Sequence, residues 1–310
     1  MTQSAATAFA PASMGNVGVG FDILGLSVSA LGDQVTLHRR SDRQVLIQRV
    51  SGVVTELPRE AAKNTAGKAL ESMVAELGLG FGFDVEIDKG IPLGSGLGGS
   101  AASAVAAVVA ASALLPAPLG DLELLRFAAE GEAVASGSVH LDNIAPSLFG
   151  GLILTVGLDH PRIKRIPVPS GLRAVIVHPH LVLSTKEARR ILKKTVELSD
   201  VVWQTANLAG FLAACYTNDL PLLKEAFMDV MIEPQRQVLI PGFQAVKAAA
   251  LSAGALGATI AGAGPTVFAF ALEDSASAVQ AGMVAAFAAH GLLSDAWITP
   301  LDQEGARLLP

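Results

Sequence analysis

A glycine-rich loop that runs directly into an apolar helix constrains this chain more than any other sequence feature. Four glycines lie between Pro92 and Gly99, and the residues that follow, 101–115, are rich in Ala and Val and end before Pro116. Glycine lets several backbone N–H groups approach one anion, and a helix N-terminus attracts the same anion. A membrane span needs about 20 apolar residues, so residues 101–115 are predicted to form a buried helix. The loop is therefore a candidate phosphate-binding site.

Three interpretations of this loop compete. A Walker A loop requires Lys after its final glycine, but here Gly99 is followed by Ser100 and Ala101, so that interpretation fails. The dinucleotide pattern G-x-G-x-x-G is formally met by Gly94, Gly96 and Gly99. Its preceding strand carries acidic residues on one face, and no strand ending in an acid follows about 20 residues later, which argues against dinucleotide binding. The third interpretation is a structural turn that only brings backbone close to the helix.

Length and periodicity indicate two α+β domains. The chain has 310 residues, and single cores stop growing at about 250–300 residues. A stretch containing Pro and Gly, 161–171, is the predicted linker, which gives domains 1–165 and 166–310. Strands and helices interleave without strict βαβ repetition, which is typical of α+β folds. The predicted strands are 34–38, 45–50, 83–88, 174–177, 267–271 and 296–300, and the predicted helices are 64–77, 122–134, 186–192, 201–216, 221–231, 243–253 and 275–290.

Charge and cysteine content argue against several classes of protein. The formal net charge of -6 lacks the basic field that non-specific nucleic-acid binding requires. No Lys or Arg precedes Arg39, so the chain lacks the positive start of a signal peptide and a cytoplasmic location is expected. The single cysteine, Cys215, lies in an apolar run and is predicted to be a buried core thiol. We therefore expect neither nucleic acid nor a membrane as a partner.

Two further glycine-containing motifs flank the loop along the chain. PASMGNVGVGFDILG occupies residues 11–25, PLGSGLGGSAA residues 92–102 and IAGAGPT residues 260–266. In this order they resemble the three motifs of the GHMP kinase superfamily. Residues 137–146, 184–189 and 233–243 resemble the branch of that family that phosphorylates L-homoserine. The resemblance spans nearly the whole chain and implies an N-terminal ATP-binding α+β domain, a C-terminal ferredoxin-like α+β domain and a homodimer.

The resemblance also implies which residues bind nucleotide and metal. It implies phosphoryl transfer from ATP with Mg²⁺, which Ser100 at the helix start and Glu132 on a later helix would hold. On composition alone, Glu130 serves as well as Glu132. Asn64 matches the position near the nucleotide base. The implied nucleotide-binding residues are Pro92, Leu93, Gly94, Ser95, Gly96, Leu97, Gly98, Gly99, Ser100, Ala101, Ala102 and Asn64.

A zwitterionic acceptor needs Arg for its carboxylate and an acid or amide for its ammonium. By resemblance, Arg189 and Arg236 bind the carboxylate, Asp22 and Asn16 bind the ammonium, and Asn143 positions the hydroxyl. The implied catalytic residues are Asn143, Glu132 and Ser100. The implied acceptor-binding residues are Asn16, Asp22, Asn143, Thr185, Arg189, Arg236 and Gly262. Asp142 and His140 receive no role as a base.

The chain departs from the family pattern at three positions. Gly99, Ala261 and Ala263 stand where the family usually has Ser, so side-chain contacts from these positions are in question while the backbone donors remain. Ser184 and Glu187 also fit a capping box, which explains them without any ligand.

The expected function is ATP-dependent phosphorylation of L-homoserine to O-phospho-L-homoserine, in threonine biosynthesis. One alternative is another GHMP kinase with a mevalonate-type alcohol as acceptor. A second alternative is a non-catalytic binding protein on the same fold.

Overall fold

The computed structural model describes residues 4–137, 139–157, 161–301 and 304–310. In chain order the strands are β1 (Ala5–Gly15), β2 (Leu24–Arg40), β3 (Val45–Gly52), β4 (Gly82–Lys89), β5 (Leu152–Val156), β6 (Arg162–Ile166), β7 (Leu172–Pro179), β8 (Gly257–Ile260), β9 (Val267–Leu272), β10 (Ser294–Pro300) and β11 (Arg307–Leu309). The helices are α1 (Thr65–Glu76), α2 (Gly99–Ala113), α3 (Asp121–Ser136), α4 (Leu141–Phe149), α5 (Thr185–Arg190), α6 (Leu198–Thr217), α7 (Leu220–Ala226), α8 (Glu233–Arg236), α9 (Phe243–Ser252) and α10 (Glu273–Ala289).

The first sheet has the order β11-β1-β2-β4-β3, with β5 on the other half of β2 and β6 beyond β5. All of its pairs are antiparallel except β3 with β4. The long strand β2 pairs with β5 over Leu24–Leu26 and with β4 over Gln34–Arg40. The pairing with β5 fixes Leu24 and Gly25, at the end of the first motif, within the sheet. The glycine loop follows the C-terminal end of β4, at Lys89.

Helices α1 to α4 form the layer that packs on this sheet. Helices α1, α2 and α3 pack on one another, and α2 lies against β1 and β2, while α4 packs against β1, β2 and β5. Most α2 side chains are completely buried, which the small Ala and Val side chains permit, so the prediction of a buried helix is confirmed.

The second sheet has the order β10-β7-β9-β8 and is antiparallel throughout. Alternate residues of β9 serve two cores, as a strand's period of two requires. Val267 and Ala269 join the core under α9 and α10, whereas Phe268 and Phe270 join the core shared with the first sheet. Together the two sheets and their helices confirm the predicted α+β class.

Several predictions of local structure need correction. Residues 162–166 of the predicted linker form β6, because they pair antiparallel with β5. The predicted helix 221–231 ends at Ala226. The side chain of Ser184 makes no cap hydrogen bond, so the predicted capping box is not formed. The boundary between domains at residue 165 stays a prediction, although β11 near the C-terminus returns to β1 in the first sheet.

The prediction for the single cysteine is confirmed. Cys215 is buried, and burial raises the pKa of its thiol to about 12. Among the helices that the structure describes, none is both long enough and apolar enough to cross a bilayer.

Four phenylalanines hold the second sheet to α6. Phe270 is completely buried and its ring lies 4.9 Å from that of Phe227, 5.3 Å from that of Phe268 and 6.4 Å from that of Phe211. We expect Phe270→Ala to lower the free energy of unfolding by about 3–5 kcal/mol, since it removes a large side chain and leaves a cavity. Urea unfolding would measure this, with Trp203→Ala on the exposed face of α6 as the control. A loss below about 1 kcal/mol would contradict this account of the core.

Candidate active site

The three glycine-containing motifs meet at one junction and are joined through their backbones. The N–H of Ser13 donates to the carbonyl of Leu97 at 3.1 Å, that of Thr266 to Ser95 at 3.2 Å, and that of Gly262 to Gly15 at 3.1 Å. Residues from the beginning, middle and end of the chain are therefore held within hydrogen-bond distance of one another. The resemblance implied a shared site, and the structure supplies the contacts.

The glycine loop can take this shape because three of its residues are glycines with left-handed backbone. Gly94, Gly96 and Gly98 have φ values of 62°, 80° and 63°. A Cβ on Gly96 would lie 2.5 Å from the carbonyl oxygen of Ala261, and one on Gly98 would lie 2.1 Å from Oγ of Ser13. Glycine is needed at both positions for conformation and for space.

A cleft of about 480 Å³ opens beside the junction. Most of the predicted site residues line it, namely Asn16, Asp22, Asn64, residues 92–100, Glu132, Asn143, Thr185, Arg189, Arg236 and Gly262. Ala101 and Ala102 do not line it. Their side chains are buried in α2, and the N–H of Ala102 donates to the carbonyl of Gly98. The unbroken run of loop residues that line the cleft therefore ends at Ser100, whereas the predicted nucleotide-binding range extends to Ala102.

Glu132 and Ser100 form the candidate metal site. Glu132 is 4% exposed, and its Oε2 has no hydrogen-bond partner among the described residues. Burial raises the pKa of Glu132 to about 7, with opposition from a hydrogen bond to Ser100 and reinforcement by the charge of Asp142. A buried carboxylate oxygen without a partner beside a hydroxyl fits a hard cation such as Mg²⁺. Glu130 on the same helix is exposed, so the structure separates the two acids that composition could not.

Asn143 lies between the loop and the first motif. Its Oδ1 accepts from Oγ of Ser13 at 3.3 Å, and its Nδ2 is 3.4 Å from Oδ1 of Asp142. Asp142 is buried and also accepts the N–H of Asn16 at 3.2 Å. Burial raises the pKa of Asp142 to about 7, and the nearby charge of Asp22 adds to the rise. The amide of Asn143 is thus held in place from both sides.

Asp22 and Arg189 form a bidentate ion pair. Nη1 of Arg189 donates to Oδ2 of Asp22 at 3.0 Å and Nη2 donates to Oδ1 at 2.7 Å. The buried Nε of Arg189 has no hydrogen-bond partner among the described residues. Sequence reasoning placed these two side chains at opposite ends of an acceptor, and the structure pairs them directly. Both residues line the cleft.

Arg236 is the most deeply buried cation of the cleft, at 3% exposure. Its Nε donates to the carbonyl of Ala188 at 3.1 Å and its Nη1 to that of Gly262 at 2.9 Å. No carboxylate of the described ranges lies within ion-pair distance of it, and burial lowers its pKa. The ring of Phe21 lies 5.2 Å from this guanidinium and 5.5 Å from that of Arg189. Two cations around one ring, one of them buried, are suited to an anion.

Asn16 and Asn64 have structural hydrogen bonds that their predicted roles did not include. Nδ2 of Asn16 donates to the carbonyl of Gly262 at 2.8 Å, and its Oδ1 accepts the N–H of Asp22 at 3.0 Å. Asn16 and Asp22 both have left-handed backbone, with φ values of 69° and 61°. Oδ1 of Asn64 accepts from Gly67 as the N-cap of α1, and its Nδ2 donates to Pro58. Both asparagines line the cleft while they hold its wall together.

His140 also lines the cleft, and burial lowers its pKa. Potential ligand atoms of His140, Asp22 and Asp142 lie within 4.8 Å of one another. The spacing suits a metal ion, but Arg189 already neutralises Asp22 and Arg236 lies beside the group in the same cleft. Two adjacent guanidinium groups disfavour a cation there.

Of the three positions at which the chain departs from the family pattern, two line the cleft and one does not. Gly99 and Ala263 line it, so the absence of Ser at these positions removes two hydroxyls from its wall. Ala261 is completely buried and does not line it.

Sequence reasoning missed several residues at or beside the site, and three of them make contacts that matter to it. They are Ser13, which holds Asn143; Phe21, which contacts both guanidinium groups; and Lys89, which lies under the glycine loop. Ser13 and Phe21 stand inside the first motif, so their position was a usable signal. Lys89 ends a strand and carries no pattern that separates it from a surface lysine.

The chain matches known proteins over almost its full length. Residues 64–151 match the family GHMP kinases N terminal domain, and residues 211–289 match the family GHMP kinases C terminal. A homoserine kinase of Xylella fastidiosa strain M12 is 50% identical over 309 residues, which cover 99% of this chain and 95% of that protein. The crystal structure of homoserine kinase from Cytophaga hutchinsonii has a TM-score of 0.96 at 41% identity, and covers 100% of this chain and 98% of that one.

A more distant match concerns the fold alone. The structure of L. major mevalonate kinase in complex with R-mevalonate has a TM-score of 0.71 at 19% identity, and covers 97% of this chain and 99% of that one. The two-domain GHMP kinase fold expected from the sequence is confirmed by these matches.

The raised pKa of Asp142 makes stability depend on pH. The native state binds this proton more tightly than the unfolded chain, so the contribution of Asp142 is greatest below its unfolded pKa of about 4 and is lost as the pH rises to about 7. We expect Asp142→Asn, which resembles the protonated acid, to raise the free energy of unfolding at about pH 8 by about 2–4 kcal/mol. The gain should shrink at about pH 5. Urea unfolding of both proteins at both pH values measures it, and a gain independent of pH would contradict the assignment.

Proposed function

Because the chain belongs to the homoserine kinase family of GHMP kinases, we propose that it transfers the γ-phosphate of ATP to the side-chain hydroxyl of L-homoserine. The product is O-phospho-L-homoserine, and the reaction belongs to threonine biosynthesis. Cytoplasmic location and assembly as a homodimer are part of the proposal, on the basis of the family resemblance. Light scattering of the purified protein tests the dimer.

One observation carries the proposal: a single cleft combines a loop of backbone donors with two arginines and an aspartate suited to an amino acid. The loop residues 92–100 lie on its wall together with Arg189, Arg236 and Asp22. Asn143 connects these groups, because it lies close to Gly98 of the loop and accepts from the first motif. Phosphate-binding and amino-acid-binding groups therefore face one space, as in-line transfer between bound substrates requires.

The nucleotide end has residues that fit Mg²⁺. Ser100 and Glu132 would hold the ion, whose chemistry is to neutralise charge on the phosphates. The protein's own part is to place the carboxylate and the hydroxyl. The N–H groups of the loop and the N-terminus of α2 favour the same negative charge.

At the acceptor end, Asn143 positions the hydroxyl, and Ser13 and Asp142 fix its amide. Arg236 and the unpaired Nε of Arg189 provide donors for the carboxylate. Asp22 provides the negative charge for the ammonium. A mevalonate-type alcohol has no ammonium and leaves Asp22 without a role.

The proposal is tested by ADP release with Mg-ATP and matched concentrations of L-homoserine, mevalonate or L-serine, and without acceptor. We expect turnover with L-homoserine alone. Turnover with mevalonate would favour the second kinase function and overturn the acceptor assignments. No turnover with any acceptor would favour a binding protein on this fold.

We predict that Arg236→Ala raises the KM for L-homoserine about 30- to 160-fold, because it removes a charge-assisted hydrogen bond worth about 2–3 kcal/mol. The KM for ATP should change by less than about threefold. Steady-state kinetics measure both constants. Arg190→Ala is the matched control, since Arg190 is exposed and does not line the cleft. Unchanged homoserine kinetics in Arg236→Ala would remove this residue from the carboxylate site.

We predict that Glu132→Gln lowers kcat at least about 100-fold and raises the Mg²⁺ concentration for half-maximal rate, because the amide keeps the volume but loses the charge. Glu130→Gln on the exposed face of the same helix should match the wild type. Titration of the initial rate with MgCl₂ at fixed ATP measures the effect. Wild-type turnover of Glu132→Gln at limiting Mg²⁺ would place the metal elsewhere.

A further inference from the structure

A buried charged cluster lies beneath the glycine loop and has no part in the roles assigned so far. Lys89 at the end of β4 and Asp33 within β2 form an ion pair, with side chains 4% and 0% exposed. Nζ of Lys89 also donates to the carbonyl of Gly99 at 2.7 Å and to Oγ of Ser103 at 2.9 Å. An ammonium group has three N–H donors, so these partners use all of them.

Asp33 completes the cluster by binding the other end of the loop. Its Oδ1 accepts the backbone N–H of Gly90 at 3.1 Å, and its Oδ2 accepts from Oγ of Ser103 at 2.7 Å. Gly90 is the first residue after β4, and Gly99 is the first residue of α2. The same buried ion pair therefore holds the residues on both sides of the loop segment 91–98.

Lys89 lines the cleft, which would suggest a direct contact with phosphate. The hydrogen bonds argue against that contact, because all three donors are bound to protein atoms. A direct contact would require Lys89 to give up a partner in a buried cluster where each lost hydrogen bond is costly. Its position instead suits control of the backbone, since Ser100 directly follows the carbonyl that it binds.

We propose that Lys89 is a positioning residue for phosphoryl transfer, which acts with Asp33 and Ser103 to fix both ends of the glycine loop. The loop N–H groups and the Ser100 hydroxyl then keep their places on the wall of the cleft without contact between Lys89 and the nucleotide. The inference rests on the proposed function in that the loop binds the triphosphate. Lys89 should therefore affect the binding of the nucleotide and should leave the binding of the acceptor unchanged.

The same two strands offer a matched control. Arg40 in β2 donates to Asp84 in β4 at 2.6 Å, near the opposite end of the β2–β4 pair, and neither residue lines the cleft. This pair joins the same strands but holds no residue of the loop. An effect that comes only from fastening β2 to β4 should appear in both pairs.

The test compares Asp33→Asn/Lys89→Gln with Arg40→Gln/Asp84→Asn. Each double variant removes one positive and one negative charge and leaves no buried charge unpaired. We expect the first to weaken binding of a non-hydrolysable Mg-ATP analogue, measured by calorimetry, at least about tenfold, and to raise the KM for ATP by a similar factor. The KM for L-homoserine should stay within about twofold of the wild type. The control should show neither change.

Ser103→Ala provides a milder variant if the double variant does not fold. It removes one of the three partners of Lys89 and should weaken analogue binding about threefold. Wild-type analogue affinity in every folded cluster variant, with only a lower Tm, would show that the cluster serves stability alone. Calorimetry needs no acceptor, so a failure of homoserine phosphorylation would leave this test valid and the two failures distinguishable.

Discussion

The backbone hydrogen bonds that join the three motifs are the constraint on which the site depends. Each bond uses a main-chain N–H and a main-chain carbonyl, from residues of β1, the glycine loop and the β8–β9 turn. Main-chain bonds need no hydroxyl on the residues that form them, so these three bonds do not depend on a serine at position 99, where the chain has Gly. They also bring Gly262, which binds both Asn16 and Arg236, against the first motif. These bonds thus fix the position of the acceptor end of the cleft relative to its phosphate end.

Around this junction the structure buries charges in two different ways. Asp33 and Lys89 are paired and fully hydrogen-bonded, so their burial produces a rigid cluster. Glu132 and Asp142 have hydrogen-bond donors but no cationic partner within ion-pair distance among the described residues, and burial raises the pKa of each to about 7. The paired charges of Lys89 and Asp33 thus lie under the loop, whereas Glu132 and Asp142, which have no ion-pair partner among the described residues, lie on the cleft wall. Raised pKa values beside a ligand cleft are typical of functional sites, because burial without an opposite charge shifts the pKa toward the range used in catalysis or ligand binding.

The sequence predicted the fold class and the residues of the cleft better than it predicted strands β1 and β6. Strand β1 was missed because Ala6, Ala8 and Ala10 alternate in burial but are too small to give a period-two signal, and Pro11 interrupts the pattern. The sequence of β6 predicts a linker, because a short exposed segment between Pro and Gly residues resembles a loop. Both segments form strands because they pair with other strands of the sheet. Local periodicity carries no information about such pairing partners.

Side-chain partners were the part of the site least accessible from sequence. The motifs predicted that Arg189 and Asp22 both lie in the cleft. They did not predict that the two side chains form an ion pair with each other. Burial alone distinguishes Glu132 from Glu130, and it depends on which face of α3 meets α1 and α2. Lys89 was missed for the same reason, since only the tertiary structure places Asp33 beside it.

The pair of Asp22 and Arg189 suggests how an acceptor is selected. Separating the two leaves an aspartate and a guanidinium that each need a new partner in a partly dry cleft. A zwitterionic amino acid brings a carboxylate for Arg189 and an ammonium for Asp22, so it replaces both halves of the pair at once. A monoanionic alcohol satisfies only the arginine and leaves Asp22 uncompensated, next to the buried carboxylate of Asp142. Discrimination would then come from the penalty on the wrong acceptor as much as from contacts with the right one.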